Sequence, residues 1–224
     1  MAVSSTNAEM AARWAVFDPA WYCVRYAWVL DMIGVDAATA HEFYDTHGVM
    51  LGHSPNAFFD EGWYRATYPE VADGIIQGTW RSGFAHYLQV GLRTHSPHWL
   101  FDEQAYRATY PDVTLAMMDS HGYRNGYDHY LRAGDGEMRA GSCFFDPAAY
   151  LALVPGSGRD AAAHPFVDYM LRGMPTVMDK AVSVYFDAEW YVQTYPGVQA
   201  EMARGEWQSA LHHYLCNTTP VAFD

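Results

Sequence analysis

Three histidines recur in one slot, His86, His129 and His213, each directly before a tyrosine, Tyr87, Tyr130 or Tyr214. Imidazoles bind metals, relay protons and change charge near neutral pH. Zinc needs three or four convergent ligands, and residues this far apart converge only if the chain curls tightly. The same slot holds Phe43 and Asp168 elsewhere. A packing or helix-capping histidine, hydrogen-bonded between repeats, is therefore the expected role. Trp21, Trp63 and Trp190 share a second slot, and Trp80 and Trp207 a third. Indole faces are flat and apolar with a polar edge, which suits a sugar ring. The competing role is packing, because short helices need large side chains to fill a core. Asp18, Asp60, Asp102, Asp146 and Asp187 recur as well. They are candidate calcium or sugar ligands, but no D-x-D-x-D-G loop is present, and helix capping accounts for their positions. No GxSxG, P-loop, GxGxxG or HExxH signature occurs. Cys216 near His212 and His213 lacks an orienting third group. No catalytic residue, metal site or cofactor is implied.

These residues sit in a tandem repeat. Phe-Asp occurs at Phe17-Asp18, Phe59-Asp60, Phe101-Asp102, Phe145-Asp146, Phe186-Asp187 and Phe223-Asp224, spaced by 42, 42, 44, 41 and 37 residues. Five of these open a related segment, such as FDEGWYRATYPEV or FDEQAYRATYPDV. Each is followed later by an aromatic motif: FYDTHG, HYLQVG, HYLRAG, DYMLRG or HYLCNT. The reading is all-α: about five degenerate ~42-residue repeats of short helices. An N-terminal segment 1–16 precedes a single helical-repeat domain, 17–222, with repeats at 17–58, 59–100, 101–144, 145–185 and 186–222. Residues 223–224 read either as the start of a sixth, in a fragment of a longer protein, or as a cover for the core of the fifth, with the fragment favoured.

Each motif has a local physical meaning. The aspartate N-caps a helix, and Pro19 and Pro147 then fall at the first helical position. The preceding phenylalanine staples onto the tyrosine within the helix, as in Phe17/Tyr22, Phe59/Tyr64 and Phe101/Tyr106. Tyr64/Tyr68 and Tyr106/Tyr110 share a face four residues apart. Pro69, Pro111, Pro155 and Pro196 end this first helix and open a second. In the second helix Val71 and Ile75 form a half-buried stripe, and Gly78 and Gly205 stop it. A third helix carries Phe84, Tyr87 and Leu88 and closes at Gly91. An extended connector such as THSPHWL follows. The first repeat lacks the Tyr-Pro step, and the fourth carries a flexible loop, Pro155-Gly-Ser-Gly-Arg159. Helices this short need tertiary packing, which neighbouring repeats supply.

Composition bounds the function. The chain is 50% hydrophobic and 17% charged, which excludes wholesale disorder. Its net charge of −13 argues against duplex nucleic acid and anionic membrane surfaces as partners. Eleven histidines, fully protonated, would cancel all but two of those excess charges. Cys23, Cys143 and Cys216 are odd in number and form no CxxC pair, which fits reduced thiols. No secretory leader and no run of roughly 18 apolar residues is read. The expected compartment is the cytoplasm, with signal-less export open and no membrane insertion.

FD-x3-Y-x3-YP-[DE]-V followed by HYL-x2-G resembles a tandem repeat of alphaproteobacterial proteins. Those repeats are appended to glycosyltransferases and other proteins of cell-surface polysaccharide synthesis, and occur in large secreted proteins. The resemblance covers residues 17 to 216 and implies a non-catalytic accessory region. It departs in the run after HYL, where Gly-x2-Glu-Gly-Arg is approached only by Gly134-Asp-Gly-Glu137-Met-Arg139. The leading expectation is non-enzymatic binding or positioning of surface polysaccharide, with Trp21, Trp63, Trp190, Trp80, Trp207, His86, His129 and His213 as candidate ligand-binding residues. The alternative is a protein–protein scaffold with a basic partner. A remote one is an enzyme with an unrecognised site. Which aromatics are exposed discriminates the first two.

Overall fold

A computed structural model describes residues 13–154, 163–173, 182–183 and 185–217. These residues form fourteen helices and no strand, an all-α array of repeated short helices. The first repeat holds α1 (Pro19–Arg25), α2 (Ala27–Ile33) and α3 (Ala40–Phe43). The second holds α4 (Glu61–Thr67), α5 (Pro69–Ile76) and α6 (Gly83–His86). The third holds α7 (Glu103–Thr109), α8 (Leu115–His121) and α9 (Gly126–His129). The fourth contributes α10 (Pro147–Leu153) and α11 (Pro165–Asp168). The fifth holds α12 (Ala188–Thr194), α13 (Pro196–Ala203) and α14 (Ala210–Asn217). The loop 155–159 and the terminal Phe223-Asp224 lie outside the described residues. The chain divides into two compact bodies, with the division after Asp128.

Every first helix starts as its residues dictate. Asp18, Asp60, Asp102, Asp146 and Asp187 have extended backbone and accept the N–H three residues on, at 3.0, 2.8, 2.8, 3.2 and 2.9 Å. That satisfies a donor which a helix start otherwise leaves unpaired. The stapling rings meet at 5.0 Å for Phe17/Tyr22, 5.0 Å for Phe59/Tyr64 and 5.3 Å for Phe101/Tyr106. Tyr64/Tyr68 and Tyr106/Tyr110 lie 4.8 and 4.9 Å apart. Pro69 and Pro196 open α5 and α13. Pro111 does not open α8. Thr114 offers a hydroxyl that accepts Met117 N–H at 3.1 Å, and this side-chain cap sets the start instead. Val71 is buried and Ile75 half-buried, as the stripe requires. Gly78 follows α5 at φ +76°, the left-handed turn that ends it.

The third helix differs from its expected form. It runs α-helical up to the tyrosine and then widens into a π-turn, at Tyr44–Gly48, Tyr87–Gly91, Tyr130–Gly134 and Tyr169–Gly173. The hydrogen bonds Val49 N–H to Tyr44 O, 2.9 Å, and Asp135 N–H to Tyr130 O, 2.8 Å, span five residues. The wider turn ends where glycine is needed. A Cβ on Gly48 would lie 2.5 Å from the Tyr22 hydroxyl, and one on Gly91 2.6 Å from the Tyr64 hydroxyl. The fifth repeat has Thr218 in that position, and its described last helix, α14, is α-helical to Asn217.

The connectors are turned, not extended. Ser54 donates its N–H to the Tyr26 hydroxyl, 2.8 Å, and its own hydroxyl accepts Glu61 N–H, 3.0 Å. Ser96 repeats this with Tyr68, 2.8 Å, and Glu103, 3.0 Å. Pro55 and Pro97 carbonyls accept Asp18 and Asp60 N–H at 3.0 and 3.1 Å. Each connector thus folds back on its own repeat before capping the next. In the second body Val182 O accepts Asp146 N–H at 2.8 Å in the same way.

In the first body side-chain bonds also tie the connectors to segments outside them. The Asn56 amide donates to Trp14 O, 3.2 Å, and Val16 O, 2.7 Å. The Asn125 amide donates to the Tyr87 hydroxyl, 2.8 Å, and Leu92 O, 2.7 Å. The Tyr127 hydroxyl donates to Phe58 O at 3.0 Å. In the second body Met138, at φ 59°, is the one non-glycine with positive φ among the described residues. It lies eight residues after Tyr130, as Gly52 lies eight after Tyr44, and Gly52 has φ +74°. Met138→Gly is therefore expected to raise stability by roughly 0.5–1 kcal/mol, the left-handed penalty less glycine's entropy. An upward shift of the urea midpoint at unchanged slope checks this.

Candidate functional site

The tryptophans of the first slot differ in exposure. Trp21 and Trp63 are half-buried and pack edge-on against Tyr26 and Tyr68, at 6.3 and 6.2 Å. Trp190, in the same slot of α12, is 59% exposed. Trp80 is half-buried, edge-on to the His86 ring at 4.9 Å. Trp207 is half-buried against His212 and His213, at 5.3 and 5.2 Å, and its N–H donates to Glu201 at 2.9 Å. Four of these five rings are thus partly committed to packing. Sequence reasoning missed Trp28, which is exposed with Val24, Met32 and Ile33. The four-residue spacing of Val24, Trp28 and Met32 is the signal that finds it. Tyr185 and Tyr195 are exposed too.

His86 and His129 are buried and His213 is half-buried. The Nδ1 atoms of His86 and His213 bond the hydroxyls of Tyr64 and Tyr191, each at 2.9 Å. These bonds lie within one repeat, not between repeats. The cause is geometric: the histidine side of the third helix faces the stapled tyrosine of its own first helix. Asp168 takes the slot in the fourth repeat and accepts from the Tyr150 hydroxyl at 2.8 Å. In the first repeat the slot holds Phe43, which has no polar atom, and the connector supplies His53 instead, 2.6 Å from the Tyr22 hydroxyl. His53 also stacks on Tyr26 at 3.8 Å.

His95 occupies the same connector position in the second repeat. Its ring lies 5.1 Å from His86 and 4.2 Å from Tyr68. Its Nε2 is 3.4 Å from Glu70, and Nδ1 bonds the Thr94 hydroxyl at 2.8 Å. The shared His-Ser-Pro run, His53-Ser54-Pro55 and His95-Ser96-Pro97, is the sequence signal for this pair. Burial pushes His53 down to about 4, with Arg25 adding to the effect. Burial also lowers His86, aided by His95 and opposed by Glu70.

Buried carboxylates form a second set. Glu61 accepts Gly83 N–H at 2.7 Å and Phe84 N–H at 2.9 Å, and Arg65 Nε donates to it at 2.6 Å. Glu103 accepts Gly126 and Tyr127 N–H at 2.8 and 3.1 Å. In the second body Asp135 accepts Phe166 and Val167 N–H at 2.8 and 3.1 Å. All three hold the start of a third helix. Burial pushes Glu103 and Asp135 up to about 7, against the pull of these N–H groups. Their oxygens are engaged by backbone, so the arrangement serves capping rather than proton transfer to a ligand.

Among the described residues no three His, Cys, Asp or Glu side chains are grouped to hold a metal. A hollow lined by Phe144, Tyr169, Val182, Phe186 and Leu211 is no larger than a single water. No described helix is long and apolar enough to cross a membrane. The fold and these contacts define an aromatic-rich, all-α helical-repeat protein. No protein-family model, curated protein or solved structure matches the chain.

Proposed function

We propose that the chain is a non-enzymatic accessory module that binds or positions surface polysaccharide through exposed aromatics. The observation that carries this reading is the exposure of Trp190, 59%, on a helix bounded by exposed Tyr185 and Tyr195. An exposed indole face stacks on the apolar face of a sugar ring, and the flanking hydroxyls bond the sugar's own. The resemblance of the repeat motif to those beside polysaccharide glycosyltransferases supports the same assignment. The charge of −13 repels acidic polymers and so favours a neutral glycan. The test is a tryptophan fluorescence titration of the full chain with neutral bacterial surface polysaccharides. A saturable shift is expected, weakened about tenfold in Trp190→Ala, the loss of about 1.4 kcal/mol that one aromatic platform supplies. An unchanged Kd in a folded Trp190→Ala rejects this surface.

The second reading is a protein scaffold, favoured by Val24, Trp28, Met32 and Ile33 on α1 and α2. These exposed side chains are largely aliphatic, which suits an apolar protein side chain better than a sugar. The acidic charge then selects a basic partner whose association weakens with salt. A folded chain that gives no response across the polysaccharide panel moves the assignment to this reading.

A further inference from the structure

The hydroxyls of four first-helix tyrosines meet partners that come from different places. Tyr64 and Tyr191 use the third-helix histidines His86 and His213. Tyr150 uses Asp168 in that same slot. Tyr22, whose slot residue is Phe43, uses His53 of the connector. The Tyr150 hydroxyl is the donor in its bond to the Asp168 carboxylate. What Asp168 shares with the three imidazoles is a lone pair. By the same pattern the Tyr22 and Tyr64 hydroxyls donate to Nδ1 of His53 and His86, the tautomer in which the ring proton sits on Nε2.

Protonation of such an imidazole reverses the contact. Nδ1 becomes a donor facing a hydroxyl whose own proton then has to find another acceptor. Burial also raises Tyr22 and Tyr64, so neither ionises to relieve the clash. The hydroxyls are walled in by the glycines that end the π-turns, since a Cβ at Gly48 or Gly91 would fall within 2.5 or 2.6 Å of them. His53 directly precedes Ser54, which holds Tyr26 and caps Glu61. Two residues further, Asn56 holds the carbonyls of Trp14 and Val16. Freeing His53 thus loosens the joint between the first and second repeats.

We propose that the Tyr22–His53 and Tyr64–His86 contacts form an acid-sensitive latch, which pins the connector of the first repeat and the last helix of the second while the imidazoles are neutral and releases them on protonation. Facing His53 are Tyr22 and Arg25 from α1 and Tyr26, which caps the end of that helix. Facing His86 are Tyr64 from α4, Glu70 from α5 and His95 from the connector. His95, once charged, opposes a second charge on His86, while Glu70 favours it. For a histidine lowered on folding, the stability is complete above its ordinary value and is lost as the pH falls toward its folded one. The window for His53 therefore runs from about 6.5 down to about 4. Glu103 and Asp135, which are raised, act with the opposite sign and gain stability as the pH falls below about 7.

The experiment compares the full chain with the double variant His53→Gln/His86→Gln, whose amide carbonyls accept from tyrosine and do not titrate. Melting temperatures are read from pH 7.5 to 4.5. The carboxylate contribution is common to both proteins and drops out of the difference. Wild type is expected to lose about 5 °C more than the variant across this range. Equal losses overturn the latch. Because the variant can fail to fold, wild type is also followed alone by histidine NMR titration and amide exchange. A His53 midpoint well below 6, with exchange of the Ser54, Asn56, Ala57 and Phe58 amides rising at least tenfold in the same window, is the expected result. A midpoint at 6.5 or above, or unchanged exchange, overturns it.

Discussion

Trp14→Ala is expected to lower the unfolding free energy by about 4 kcal/mol, within the usual range for a large aromatic removed from a core. Trp14 precedes the first repeat motif, yet it is buried. Its ring packs edge-on against Tyr87 at 5.9 Å and Tyr127 at 6.1 Å, tyrosines of the second and third repeats. The indole N–H donates to buried Asp128 at 3.1 Å, and the Arg124 guanidinium covers the ring at 4.0 Å. Asp128 keeps the Arg124 N–H, 2.9 Å, so the variant does not leave it wholly unpaired. The main loss is therefore packing around a cavity bounded by two buried tyrosines, neither of which can collapse inward without breaking its own hydroxyl bond. Trp14→Phe retains most of the ring and is expected to cost about half as much. Urea unfolding of both variants checks the order. A Trp14→Ala cost under 1 kcal/mol would contradict this placement.

The helix starts were legible because they are decided within a few residues. The Phe-Asp pair, the proline after it and the tyrosine one turn on fix cap, start and staple without reference to the rest of the chain. The start of α8 was misread because two local signals competed, and the Thr114 hydroxyl outweighed Pro111. The π-turn was not legible. Its closing glycine meets a tyrosine hydroxyl of the first helix 26 or 27 residues earlier, as Gly48 meets Tyr22 and Gly91 meets Tyr64, and neither residue announces that contact. The connectors read as extended because Ser-Pro lacks a helix pattern, while their turns depend on Ser54 and Ser96 meeting tyrosines 28 residues earlier.

The candidate site was legible in kind but not in exposure. Trp21, Trp63 and Trp190 share one motif position, but Trp190 alone of the three is exposed. Burial of a slot is set by what neighbouring segments place over it, which a repeat motif does not encode. The histidine slot was found, but its partner was placed in the wrong repeat. His53 and His95 were missed because their value lies in exchange: the connector supplies an acceptor to Tyr22 where Phe43 cannot. Comparing slots for the chemistry they lack, rather than the residue they share, would have exposed it.

Glu61→Ala is the other change of this size, with an expected cost of about 4 kcal/mol. The side chain is fully buried, and its carboxylate holds the Gly83 and Phe84 N–H groups at the start of α6. Alanine leaves the buried Gly83 N–H and the half-buried Phe84 N–H without this acceptor, and each such loss costs about 1–3 kcal/mol. It also removes the 2.6 Å partner of Arg65 Nε, leaving that guanidinium its bond to Val49 O at 3.3 Å. Ser82 still caps α6 through Ala85 N–H at 3.0 Å, so the helix start is weakened rather than erased. Glu61→Gln separates charge from shape. Its single carbonyl oxygen accepts one N–H while its amide faces the other, so about half the alanine loss is expected. Glu103 repeats the geometry on Gly126 and Tyr127, and Glu103→Ala is expected to match Glu61→Ala. In α12 the position of Glu61 is held by Ala188; Glu189, one residue on, is exposed, and its removal is expected to change stability by no more than about 0.5 kcal/mol. Urea midpoints for the four variants give the comparison. Similar small losses at Glu61, Glu103 and Glu189 would mean that buried capping carboxylates do not tie the first helix of a repeat to its third.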